Sequence, residues 1–136
     1  MSAVKEIIRT ESNGAISFGD YTLDSKTKVE DYAVGANLYK VKTFKELTKL
    51  EKDGLFVYES EPGTAVVDFN TVDEGVTFTV SGDKDAMITV GLAEDTEYNV
   101  TVGEKAVGTI KTNLAGKLSI SVELEQKGEV AVTIKK

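Results

Sequence analysis

The chain has 136 residues, 16 Lys and Arg against 23 Asp and Glu, a net charge of −7, and no cysteine, histidine or tryptophan. Those absences exclude a disulfide framework, thiolate zinc or iron–sulfur ligation and a cysteine nucleophile, and they remove the commonest general acid/base and transition-metal ligand. A chain of this length makes one domain or two very small ones and buries roughly two-thirds of its unfolded surface.

The charge is uneven: residues 1–60 carry nine basic and ten acidic groups, and the remainder seven basic and thirteen acidic. An acidic surface repels phosphate backbones, so no nucleic-acid partner is expected. The start, Met1 to Arg9, lacks the apolar core of a secretory signal, and no stretch approaches the length of a membrane span. Synthesis in the cytoplasm without membrane insertion is the expectation, compatible with a final place on a cell surface or phage particle.

Val4 to Arg9 alternates weakly, and Glu11-Ser12-Asn13-Gly14 supplies a hairpin turn into Ala15 to Leu23, because Asn-Gly tolerates positive φ. After a polar loop at Asp24 to Lys28, Val29 to Val34 leads through Gly35-Ala36-Asn37 into Leu38 to Lys42, a second hairpin. Over residues 43–53 two rules compete. Thr43 and Glu46 fit a capping box, with Phe44, Leu47 and Leu50 at helical spacing, so one short helix is an option here. Asp53-Gly54 is equally a two-residue hairpin signal, which would pair Lys52 with Leu55 and Leu50 with Val57.

Glu61-Pro62-Gly63 contains the single proline and marks the expected boundary between an N-terminal β-hairpin region, 1–62, and a C-terminal seven-stranded β-sandwich, 63–136. The seven runs are Ala65 to Val72, Gly75 to Gly82, Ala86 to Leu92, Glu97 to Val102, Lys105 to Thr112, Lys117 to Leu124 and Glu129 to Lys135. Turn residues, including Asp73-Glu74-Gly75, separate them. Val76, Phe78 and Val80 alternate with Thr77, Thr79 and Ser81, as do Leu118, Ile120 and Val122 with Ser119, Ser121 and Glu123. One apolar and one wet face per strand predicts an all-β, antiparallel β-sandwich with solvated outer faces.

The run Leu92-Ala93-Glu94-Asp95-Thr96-Glu97-Tyr98-Asn99-Val100, then Gly108-Thr109, Thr112-Asn113 and Gly116-Lys117-Leu118, resembles the small immunoglobulin-like or fibronectin-type sandwiches of bacterial secreted and surface proteins. In such modules a tyrosine at this spacing bonds back to the chain, and the resemblance implies structural roles for Leu92 and Tyr98. Ile16-Ser17-Phe18-Gly19, Tyr39 to Phe44 and Lys111-Thr112-Asn113 are also similar to short bacterial proteins labelled endosialidase. No residue matches a sialidase catalytic motif, so that activity is not implied.

Three groups are weighed as sites. Asp83 and Asp85, flanking Lys84, with Asp73 and Glu74 in another turn, are calcium candidates, although solvated acidic turns account for them equally. Tyr32, Tyr39 and Tyr58 fall on predicted strands and could form a ligand-facing stripe or pack in the core. A glycosidase needs two positioned carboxylates, and 23 acids privilege no pair. The sequence therefore predicts no cofactor and a non-catalytic structural or interaction module, a homo-oligomer or protein-binding component of a surface, phage-tail or appendage structure. Val4 to Arg9 is the first segment expected to pair outside the fold. A carbohydrate-binding accessory module with a glycan partner is the alternative, and a glycan-active enzyme ranks behind both.

Overall fold

The computed structural model describes residues 4, 6–72 and 75–136. The first half of the chain forms β1 (Ile8–Thr10), β2 (Ile16–Phe18), β3 (Thr27–Val34), β4 (Asn37–Phe44), β5 (Leu47–Lys52) and β6 (Leu55–Glu61). The second half forms β7 (Ala65–Val72), β8 (Gly75–Ser81), β9 (Ala86–Gly91), β10 (Glu97–Val102), β11 (Lys105–Lys111) and β12 (Lys117–Val122). A four-residue helix, α1 (Leu124–Lys127), and β13 (Glu129–Lys135) complete it. The expected turn at Asp73-Glu74 lies outside the described residues.

Two antiparallel sheets pack as a sandwich. One has the order β1-β2-β7-β8-β13-β10-β11 and the other β12-β9-β6-β5-β4-β3. All seven strands expected after residue 63 form, each within two residues of its expected limits. They do not make a sandwich alone: β2 pairs with β7 and β6 with β9, so strands from both sides of Pro62 share each sheet. At Pro62 the chain passes from one layer to the other.

The option of a helix at 43–53 is overturned. Thr43 and Thr48 face each other across the β4–β5 ladder and are both fully buried, which a helix would not allow. The predicted pairing of Lys52 with Leu55 holds, with Asp53 and Gly54 at φ 51 and 80 in the turn. Leu50, however, faces Tyr58 and not Val57, because a bulge after Leu50 shifts the register by one residue. The only helix among the described residues is α1, closed by a bond from the Gly128 N–H to the Leu124 carbonyl.

The N-terminal hairpin forms with shorter strands than expected. Ile7 takes a left-handed φ of 58, which interrupts any strand before Ile8, while the Val4 N–H donates to the Gly19 carbonyl at 2.9 Å. Val4, Ile7 and Ile8 are buried, so apolar burial ties this segment to its own fold.

An aromatic cluster joins the layers. Phe18, Phe69 and Phe78 come from one sheet and Tyr58 from the other, with Phe18 and Phe78 meeting the Tyr58 ring edge-on at 5.2 and 5.9 Å. Burying each such ring contributes on the order of 2–3 kcal/mol before entropy is counted.

A hydroxyl chain runs beside the aromatic cluster. Tyr58 Oη and Ser60 Oγ each lie within 2.8 Å of Thr64 Oγ1; Thr48 Oγ1 donates to the Thr64 carbonyl, accepts the Thr64 N–H, and meets Thr43 Oγ1 at 2.8 Å. Thr43 Oγ1 in turn accepts the Asp20 N–H. These contacts satisfy the buried polar groups where the chain changes sheets, a condition for burying them at all. Gly63, next to the crossing, is there for space: a Cβ would collide with the Phe44 carbonyl.

Candidate functional site

A concavity lies at one open end of the sandwich, where the β1–β2 turn, residues of β4 to β9 and Tyr98 of β10 converge around about 510 Å³. Ile16, Val57, Phe69, Leu92 and Tyr98 give it apolar walls, and Tyr39, Lys52, Asn70 and Thr71 give it polar groups. Strand geometry explains Tyr39 and Lys52. They are direct partners in a β4–β5 ladder without register shift, on the same face as Val41–Leu50 and Thr43–Thr48. Those last four residues are fully buried, so Tyr39 and Lys52 continue the inner face out to the rim.

Tyr39 is half-buried, and its phenol is held above the ordinary tyrosine range, first by loss of water and then by the field of Asp53. Asp53 is engaged elsewhere, accepting the Leu38 N–H at 2.9 Å. Tyr98 is buried, and its hydroxyl accepts the Ala93 N–H at 3.2 Å, which ties β10 to the loop after β9. Leu92 packs on the core beside it.

The tyrosine stripe does not survive as a set of three. Tyr32 and Tyr39 face each other across β3 and β4 and remain partly exposed, and Tyr32 Oη meets Thr10 Oγ1 at 3.0 Å between the two sheets. Tyr58 is 0% exposed, encased by the aromatic cluster and bonded to Thr64, so no ligand reaches it; burial drives its phenol strongly upward. The alternation that put Tyr58 on a strand could not show that the middle of β6 lies mid-core.

The calcium candidates are not brought together as a ligand set. Asp85 Oδ1 accepts the Glu125 N–H at 3.1 Å, while Asp83 lies beside Tyr21, Lys45 and Lys84 in a separate depression. Asp73 and Glu74 lie outside the described residues, and among those described no three His, Cys, Asp or Glu side chains gather as a metal site. Comparison with family models, curated proteins and solved structures finds no match for this chain.

The sheet edges are the other chemically open feature. Among the described residues each sheet ends in two strands with an unpaired side: β1 and β11 in one, β12 and β3 in the other. β1 is only three residues long. β3 is bent by a bulge between Val29 and Tyr32, with Asp31 at φ 56, and carries Lys28, Glu30 and Asp31. β11 is bulged opposite Val100 and Thr101, with Gly108 at φ 115. β12 pairs with β9 over six residues without a shift, buries Leu118, Ile120 and Val122 inward, and exposes Ser119 and Ser121 outward. Its one basic residue, Lys117, turns back across the sheet to lie over the Phe56 ring at 4.6 Å. No helix among the described residues is long and apolar enough to cross a membrane.

Proposed function

We propose that the protein is a non-catalytic interaction module that joins a second copy of itself, or a surface, phage-tail or appendage assembly, by strand pairing along β12. The observation that carries this reading is the contrast among the four edges. Natural sheets blunt exposed edges by shortening, bulging or charging them, and three of these four are blunted in one of those ways. β12 is regular, free of proline and bulge, and its lysine is drawn away from the edge. Edge pairing would draw affinity from main-chain hydrogen bonds and specificity from alternate side chains. Among the described residues no aspartate or glutamate is buried, which supports a non-catalytic reading, since a carboxylate is tuned for acid catalysis chiefly by enclosure.

Light scattering after size exclusion across micromolar concentrations tests the proposal. The expected result is a mass that rises above 14.7 kDa with concentration, and a return to monomer in Ser119→Lys/Ser121→Lys, which charges the edge without touching its buried face. A monomer throughout would remove self-assembly. An oligomer indifferent to the double substitution would remove β12 as its seam.

A further inference from the structure

The end cleft carries an inference independent of strand pairing. Lys52 occupies an inward position of β5, continuing Thr48 and Leu50, where the pleat calls for an apolar side chain. Lys52 is half-buried there, at the rim, where an ion pair would be one structural use of its ammonium. Among the described residues, Lys52 has none, whereas Lys49 on the opposite face of the same strand is paired with Glu51 at 3.7 Å. Among the described residues no aspartate or glutamate lines the cleft, whose charged side chains are Lys52 and Lys136, although the chain as a whole carries a net charge of −7. Those two ammonium groups are the charges that the described lining offers an anion.

The neighbours of Lys52 complete a recognisable chemistry. Tyr39, directly across the ladder, lines the same cleft with a half-buried ring, and Val57 and Leu92 extend the apolar surface. Asn70 brings an amide with both donor and acceptor capacity to the same space. The volume, about 510 Å³, matches a small-molecule site, which is typically apolar with a few convergent polar groups. We infer that this cleft binds a small ring-bearing carboxylate, its ring on Tyr39 and its carboxylate at Lys52.

The test is a titration of isotope-labelled protein, following backbone amide shifts, with two acids and their uncharged counterparts: glucuronate against glucose, and benzoate against benzamide. At least one acid is expected to shift the amides of Lys52, Val57 and Asn70 saturably, and to bind about fivefold more tightly than its neutral partner, the size of one partly exposed charge contact. Lys52→Met keeps the aliphatic stem and should abolish that preference while leaving the thermal midpoint close to the parent value. Tyr39→Ala should weaken acid and neutral probe alike. A response to glucuronate alone assigns the site to sugar acids, and a response to benzoate alone assigns it to aromatic acids. Absence of saturable shifts with either acid, equal binding of acid and neutral probe, or an unchanged preference in Lys52→Met would overturn the inference.

Discussion

Thr64→Val is the substitution that probes most directly what holds the sheet crossing together. Valine matches threonine in shape, so the core geometry is kept, but the hydroxyl that meets both Tyr58 Oη at 2.7 Å and Ser60 Oγ at 2.8 Å disappears. All three residues are at most 1% exposed, so water cannot replace the lost partner. The Thr64 backbone keeps its own two contacts with Thr48 Oγ1, which confines the damage to the side chain. Each hydroxyl left without a partner costs about 1–3 kcal/mol, Ser60 being within reach of the Tyr58 phenol to offset part of it, and the added methyl returns less than about 1 kcal/mol, for a net loss of about 1–5 kcal/mol. For a domain of this size that corresponds to a fall in Tm of roughly 10 °C. Urea unfolding with an unchanged slope would measure it. Tyr58→Phe in the Thr64→Val background removes one of the stranded groups, so the double variant should be more stable than additivity predicts by about 1 kcal/mol or more. A Thr64→Val cost below about 0.5 kcal/mol, or strict additivity, would refute the role assigned to the hydroxyl chain.

Alkali and a lone hydroxyl supply two further expectations. The Tyr58 phenol is raised by burial, so the fold holds its proton more tightly than the unfolded chain; its contribution is complete below the unfolded value near pH 10 and is lost as pH rises above it. The stability gap between parent and Tyr58→Phe should therefore narrow by up to about tenfold in folding equilibrium constant per pH unit beyond about pH 10, and a constant gap would contradict the burial argument. Ser81 Oγ is buried with no hydrogen-bond partner among the described residues. Ser81→Ala should be neutral or stabilising by up to about 1 kcal/mol in urea unfolding, and a loss above about 1 kcal/mol would mean that the hydroxyl has a partner.

The readings that succeeded from sequence were local ones. Asp53-Gly54 specifies a tight turn through its tolerance of positive φ, and that turn brought Lys52 opposite Leu55 as expected. Alternation in β8 and β12 identified their buried faces, because a pleated strand turns successive side chains to opposite sides. The failures were questions of register and of where a segment finds burial. A single bulge moved Leu50 from Val57 to Tyr58, a one-residue event with no strong signal in the sequence. The suspected edge at Val4 to Arg9 shrank to three strand residues because Val4 and Ile7 found burial within the fold. The candidate cleft was half legible: Tyr39 was singled out, whereas Lys52 was read only as the hairpin partner of Leu55, although its spacing from Thr48 and Leu50 placed it on the inner face.

Composition and local pattern thus determined the absence of thiol and imidazole chemistry, the β class, nearly every strand and most turns, since these depend on residue type and on neighbours a few positions away. Tertiary structure alone decided which strands share a sheet, which tyrosine is sealed and which opens on a cleft, and which edge is left unguarded. Those outcomes depend on pairings across long stretches of chain, such as β2 with β7 and β8 with β13. Such pairings are selected by the joint burial of both sheets' inner faces, a property of the whole assembly that no single segment encodes.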